Sequence, residues 1–141
     1  MSLEENKAIV RKVIEAINSQ NLDSMDDLTA PEYFDHTHQL DLEGVKRFMA
    51  LIFKAFPDWH ETIEDIIAEG ENVWIRARGT GTHTGEYRGI SPTGKKVTGM
   101  GVNIYRIVNG KFVEGWAVED YLDFLKQIGV IEYKGFPDEV R

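Results

Sequence analysis

The acidic residue at the end of the last predicted strand is the first candidate for chemistry in this sequence. Asp120 follows Trp116 and Val118 at the two-residue spacing of a strand, so the three side chains are expected on one face. If that face is buried, desolvation favours the protonated carboxyl group and makes it a usable general acid or base. The alternative is that Asp120 caps the helix predicted over residues 121–128, and position alone favours this cap.

Two of the four histidines stand close together in the sequence. His36 and His38 lie two residues apart in Phe34-Asp35-His36-Thr37-His38 and could bring both rings to one site. A histidine pair without a clear third ligand is a weak zinc pattern. We favour a polar loop, or a histidine bonded to a local carboxylate, and we expect no metal.

The third histidine lies in a run of glycine and threonine. His83 is the fifth residue of the segment from Gly79 to Gly85, which follows a predicted strand. Glycines let the backbone approach a ligand closely, and a histidine there could orient a carbonyl or enolate oxygen. An ordinary polar strand end fits the same residues equally well. The fourth histidine, His60, is expected at the start of a strand.

An aromatic stripe repeats at helical spacing in the first half of the chain. It consists of Phe48, Met49, Ile52, Phe53 and Phe56. Such a stripe could line a pocket, but it more often belongs to the core, and we interpret most of it so.

Helices are predicted in the first sixty residues. Ser2 and Glu5 form a capping box before a helix with one apolar face. A short helix is expected over residues 23–28. A third helix begins after Asp41 and ends before Pro57.

Strands dominate the rest of the chain. They are predicted over residues 59–68, 73–81, 97–108 and 111–119. Asn109-Gly110 is a strong type I′ hairpin signal, and Gly129 is expected to end a short helix after the last strand. Helices first and strands afterwards favour an α+β fold, with helices packed on one face of an antiparallel sheet. Arg76 and Arg78 suit a solvated or interface face of that sheet, where they can pair with acidic residues.

Composition narrows the range of partners. The chain has 141 residues and a net charge of −8, so nucleic acid and anionic membranes are not expected partners. It has no cysteine, which excludes disulfides and thiolate nucleophiles. No apolar run reaches membrane-spanning length. We expect a cytoplasmic protein with one domain over residues 1–131 and a polar tail over 132–141.

Several segments resemble the SnoaL-like polyketide cyclase family. The resemblance is carried in order by residues 33–36, 56–58, 79–85, 89–97 and 105–116, and it continues through Asp120 to Gly129. It covers about residues 5–131. The resemblance implies a cone of the nuclear transport factor 2-like type, in which a curved antiparallel sheet wraps around the N-terminal helices. It also implies a homodimer, which we expect to form through the outer face of the sheet.

The resemblance further implies a set of site residues. In such cyclases an Asp at the position of Asp120 acts as acid and base in an intramolecular aldol ring closure, without a metal or organic cofactor. We therefore predict Asp120 and His83 as catalytic residues. The predicted substrate-binding residues are His36, Trp116, Phe34, Phe53 and Tyr105.

The predicted activity is acid/base catalysis on a small apolar carbonyl compound. Two alternatives remain. The chain could be another acid/base enzyme on the same cone, such as an isomerase, dehydratase or epoxide hydrolase. It could also be a non-catalytic dimeric module that binds a small molecule.

Overall fold

The computed structural model describes residues 1–132 and 134–141. In chain order the elements are α1 (Leu3–Asn18), a 3-10 helix (Leu22–Leu28), β1 (Thr29–Asp35), α2 (Leu42–Ala55), β2 (His60–Glu69), β3 (Asn72–Thr82), β4 (Lys96–Val108), β5 (Lys111–Glu119), α3 (Tyr121–Gln127) and a 3-10 turn (Asp138–Val140). Within those two ranges, no helix has the length and apolar character needed to cross a lipid bilayer.

Five strands form one sheet in the order β1-β5-β4-β3-β2. The strands β2 to β5 are antiparallel neighbours, as predicted. The expectation of a wholly antiparallel sheet is wrong at one edge, where β1 pairs with β5 in parallel. Residues 29–35 show no strand pattern and contain Pro31, which an edge strand tolerates because one side of it needs no ladder hydrogen bonds.

Local signals at the ends of elements are confirmed. The Ser2 hydroxyl accepts from the Glu5 backbone N–H at 3.1 Å, and Asp41 Oδ1 accepts from the Gly44 N–H at 2.8 Å. Both caps satisfy backbone donors that the first helical turn leaves free.

The hairpin between β4 and β5 has the predicted turn. Asn109 and Gly110 have φ angles of 51° and 76°, as both central positions of a type I′ turn require. Gly129 follows α3 with a φ of 81°, in the left-handed region that suits glycine at a helix end.

The core lies between the helices and one face of the sheet, called here the inner face. On β3, Val73 and Ile75 are buried, whereas Trp74 between them is 45% exposed. The inner face packs against buried residues of α1 and α2, such as Val10 and Ile52. The opposite, outer face carries Trp74 and the Arg76 and Arg78 side chains. Both arginines lie beside Glu64, at 3.4 and 3.6 Å, as the predicted acidic pairing requires.

Candidate functional site

A partly open cavity of about 230 Å³ lies between the inner face and the helices. Its helical wall is apolar and includes Val13, Ile17, Phe48, Met49 and Ile52. The sheet and the strand ends contribute polar groups. These are Tyr33, Asp35, His38, Glu61, Tyr87, Asn103, Tyr105, Glu119, Asp120 and Tyr121. An apolar cleft with a few convergent polar groups is the usual form of a small-molecule site.

The end of β1 positions an imidazole at the cavity. Asp35 Oδ1 accepts from the backbone N–H groups of Thr37 and His38, at 2.9 and 3.1 Å, which folds the chain into a tight turn. Asp35 Oδ2 lies 2.8 Å from His38 Nδ1. An ionised carboxylate only accepts hydrogen bonds, so this contact assigns the proton to Nδ1 and leaves Nε2 to face Glu119 Oε1 at 3.6 Å. The prediction of a histidine bonded to a local carboxylate is confirmed at His38.

A second carboxyl group lies on the cavity wall formed by β2. Glu61 Oε2 accepts from Trp59 Nε1 at 3.3 Å. The backbone N–H of Glu61 donates to Asn18 Oδ1 at 2.7 Å, which ties β2 to α1. Burial raises the pKa of Glu61, and the charge of Glu119 adds to this, while the bond from Trp59 acts in the opposite direction. Glu61 is thus suited to carry a proton into the cavity.

Two tyrosines complete the polar side of the cavity. Burial raises the pKa of both Tyr33 and Tyr105, so both phenols remain hydrogen-bond donors at neutral pH. The Tyr105 ring packs edge-on against Phe112, with 4.9 Å between ring centroids. Of the predicted substrate-binding residues, Tyr105 faces the cavity directly.

Asp120 lies at the border of the cavity and is exposed. Its side chain accepts from the Asp123 backbone N–H at 3.2 Å and caps α3, which is the second of its two predicted roles. The expectation that Asp120 shares a buried face with Trp116 and Val118 is wrong. β5 ends at Glu119, and Val118 is 70% exposed.

The pairing of β5 with β4 decides which of its residues face inward. Residues directly opposite each other in an antiparallel pair share a face. Ala117 is opposite Asn103, and Glu119 is opposite Gly101, all of which line the cavity. Glu119, one position before Asp120, is therefore the β5 carboxylate on the inner face.

His83 is not among the residues that line the cavity. Its ring is fully buried and lies 5.3 Å from the Phe56 ring, and its Nδ1 is 3.0 Å from Thr93 Oγ1. The backbone N–H of His83 donates to the Lys95 carbonyl at 2.9 Å. The expected cavity position is wrong, because the loop after β3 folds back over this histidine.

The predicted binding residues Phe34 and Trp116 pack against His36, which is also a predicted binding residue, whereas Phe53 lies against the core. The His36 ring stacks on Trp116 with centroids 5.1 Å apart, and Phe34 contacts His36 edge-on at 5.3 Å. Trp116 borders the cavity, whereas Phe34 and His36 do not line it. Phe53 packs against the core, also outside the lining. The two histidines of the predicted pair thus point to different surroundings.

Two tyrosines of the cavity lining and one arginine form a hydrogen-bonded chain, which no sequence pattern predicts. The hydroxyl oxygens of Tyr87 and Tyr121 are 2.9 Å apart. Arg88 Nη1 donates to the Tyr121 oxygen at 3.0 Å.

Across residues 1–132 and 134–141, no three His, Asp or Glu side chains are grouped so that they could hold a metal ion.

The family model described as SnoaL-like polyketide cyclase matches residues 7–128. The chain belongs to the SnoaL-like polyketide cyclase family. All of the polar cavity residues named above lie within the matched range, so the cavity is formed by the family domain itself.

Relatives of this SnoaL-like chain include ester cyclases. It is 30% identical over 134 residues to the aklanonic acid methyl ester cyclase AcmA of Streptomyces galilaeus, covering 90% of this chain and 92% of that protein. It is 27% identical over 124 residues to the nogalonic acid methyl ester cyclase of Streptomyces nogalater, covering 83% and 92% of the two chains.

Solved structures show the same SnoaL-like fold. AclR from Streptomyces galilaeus, a proposed hydroxylase, superposes with a TM-score of 0.87 at 30% identity, over 99% of this chain and 93% of that one. IdmH from Streptomyces antibioticus, a proposed polyketide cyclase, gives 0.79 at 29% identity, over 89% and 99%. The relatives thus carry more than one assigned activity on a shared fold. The function of this chain must therefore be inferred from the residues of its site.

Proposed function

We propose that this chain is an ester cyclase that closes a ring in a carbonyl compound by proton transfer, without a metal or organic cofactor. The proposal rests mainly on the cavity, in which carboxyl, imidazole and phenol groups on one side face an apolar wall on the other. Relatives named as methyl ester cyclases support the substrate class, which is a polyketide-derived carbonyl compound that bears an ester.

The reaction needs one base and one acid. The base removes a proton from a carbon next to a carbonyl group, and the resulting enolate carbon attacks a second carbonyl carbon of the same molecule. A new carbon–carbon bond forms, and the former carbonyl oxygen becomes an alkoxide that takes up a proton. Positioned side chains contribute about 10²- to 10⁴-fold to each such proton transfer.

We assign the base to Asp120, at the border of the cavity. One of its oxygens caps α3, and the other has no hydrogen-bond partner within the described parts of the chain. The family resemblance supports this position as the acid/base carboxylate. Glu61 is suited to return the proton, because burial raises its pKa and favours the protonated form.

The test is turnover of aklanonic acid methyl ester, followed by liquid chromatography and mass spectrometry. Ring closure changes the retention time without changing the mass. Asp120→Asn is expected to lower kcat by about 10²- to 10⁴-fold while it keeps the helix cap, since Asn also caps. Asp123→Asn, which removes a carboxylate from the same helix, is the matched control and keeps full activity.

Two outcomes would overturn parts of the proposal. Binding of the ester without conversion by the unaltered protein would favour the non-catalytic binding module. Full activity in Asp120→Asn together with loss in Glu119→Gln would move the base one residue back, to the carboxylate on the inner face.

We also propose that two copies pair through the outer face. Ile67, Trp74, Met100 and Val118 leave a broad apolar surface there, and all four side chains are exposed. Arg76 and Glu64 lie on the same face with opposite charges. A two-fold pair places such a surface against itself, so its apolar parts and its charges can both be matched.

A further inference from the structure

We propose that Arg88, Tyr121 and Tyr87 form the subsite of the cavity that binds the substrate's carbonyl oxygen. The ligand group is a neutral ketone or ester oxygen, which gains negative charge when the proton on the neighbouring carbon is removed. This inference rests on the proposed function and names the residues that recognise the substrate within it.

The three residues are held in place from two sides. Tyr87 is 3% exposed, and its ring packs against Phe124, with centroids 5.8 Å apart. Tyr121 stacks on the same Phe124 ring at 5.9 Å. The hydroxyl groups therefore meet at a fixed place, and a substrate oxygen placed beside them needs little rearrangement of the protein.

A tight turn directs Arg88 toward Tyr121. Tyr87 and Ile90 exchange two backbone hydrogen bonds, of 3.0 and 2.8 Å, around Arg88 and Gly89. Arg88 has a φ of 52°, in the region that non-glycine residues rarely adopt. The turn keeps this strained residue where its guanidinium lies 5.9 Å from the centre of the Tyr121 ring and donates to its hydroxyl oxygen.

Counting protons shows that the cluster has one donor left over. Arg88 donates to the Tyr121 oxygen, and one of the two phenols donates to the other. Two phenols carry two protons, and the contact between them uses only one. The remaining proton has no acceptor among residues 1–132 and 134–141, so it is available to an acceptor in the cavity.

The positive charge of Arg88 beside this phenol donor favours a substrate oxygen that becomes negative. The guanidinium is always protonated, and its bond to Tyr121 makes the phenol a stronger donor. Burial raises the pKa of Tyr87, which keeps that phenol protonated. Such a donor stabilises an enolate more than it stabilises the starting ketone, and this difference accelerates proton removal.

The position of the subsite fits the assigned base. Tyr121 directly follows Asp120, so the oxygen donor and the base lie at the same border of the cavity. The other carboxylates that line the cavity, Asp35 and Glu119, disfavour a fully ionised ligand such as a phosphate ester. The subsite thus selects a neutral carbonyl compound.

The experiment compares two probes that differ in one atom. 2-Acetylnaphthalene carries a carbonyl oxygen, and 2-isopropenylnaphthalene has a methylene group in its place. Isothermal titration of each probe gives a preference ratio, the affinity for the ketone divided by that for the alkene. One net hydrogen bond predicts a ratio of about five to ten in the unaltered protein.

The variants follow from the proton count. In Tyr87→Phe, Tyr121 keeps its bond from Arg88 and its own proton becomes free, so the ratio stays close to that of the unaltered protein. In Tyr121→Phe, the Tyr87 proton is free but loses the support of Arg88, so the ratio falls. In the double variant the ratio falls to about one. Arg88→Gln also lowers the ratio, whereas Arg47→Gln, at an exposed arginine on α2, does not.

The outcomes separate this inference from the proposed function. A double variant that unfolds with the same midpoint as the unaltered protein but keeps the ketone preference would overturn the subsite, as would a ratio of one in the unaltered protein. Failure of the unaltered protein to convert aklanonic acid methyl ester would count against the proposed function, while the probe ratios would still report on the subsite.

Discussion

Two glycines on the inner face leave room for the Trp59 ring at the cavity wall. Gly79 on β3 is paired with Gly99 on β4, and the indole lies against both. A Cβ atom at Gly79 would lie 2.2 Å from Trp59 Cζ2. A Cβ atom at Gly99 would lie 3.9 Å from Trp59 Cη2, an ordinary contact. Gly79→Ala and Gly99→Ala therefore form a matched pair.

The size of the effect follows from these distances. Ordinary contact begins at 3.4 Å, so the indole must move by about 1.2 Å in Gly79→Ala. Overpacking of this kind costs about 1 to 3 kcal/mol. Replacing glycine by alanine also stabilises the fold by about 0.4 to 1 kcal/mol, because alanine lowers the conformational entropy of the unfolded chain.

We expect Gly79→Ala to lower the free energy of unfolding, by up to about 2.6 kcal/mol. Gly99→Ala is expected to raise it by about 0.4 to 1 kcal/mol. Urea unfolding followed by tryptophan fluorescence measures both. Displacement of the indole into the cavity should also weaken binding of 2-acetylnaphthalene in Gly79→Ala alone. Equal unfolding free energies for the two variants would refute this account of the cavity wall.

Two further predictions concern pH and assembly. Because burial raises the pKa of Glu61, the folded chain holds that proton more tightly than the unfolded chain does, and stability falls as pH rises above the ordinary value of 4.5 toward the folded pKa. Glu61→Gln should flatten this decline and be the more stable form at pH 7.5; identical thermal unfolding profiles between pH 4.5 and 8 would contradict it. Light scattering at micromolar concentration should give about twice 16.1 kDa for the unaltered protein and a single-chain mass for Trp74→Glu. A single-chain mass without any substitution would show that the outer face does not pair.

Short-range signals predicted most of the fold. The capping box at Ser2 and the Asn109-Gly110 turn act within a few residues, so the sequence alone specifies them. The strand formed by residues 29–35 escaped prediction because its partner is β5, far along the chain, and its own residues show no alternation. Pairings of this kind are decided by the whole sheet.

The candidate site was harder to predict because it depends on which face of β5 is inward. Trp116 and Val118 have the apolar character of a core face, but the outer face of this sheet is apolar as well. Alternation along β5 alone therefore cannot distinguish the two faces. The small and polar residues Gly101 and Asn103 on β4 line the cavity, and register with them places Glu119 inward. His38 was easier, because its partner Asp35 is only three residues away.

The parallel edge of the sheet also affects the order in which the protein can assemble. His36 and Thr37, at the end of β1, bond to Gly115 and Ala117 on β5, across nearly 80 positions of sequence. The strands β2 to β5 follow one another as antiparallel neighbours, and closing a short loop costs less chain entropy than closing a long one. We therefore expect those four strands to pair first and β1 to dock afterwards. A growing chain that has not yet reached Glu119 has α1, α2 and most of the wall, but His38 has no carboxylate from β5 beside it. The candidate site is therefore completed only when β5, one of the last elements in chain order, has joined the sheet.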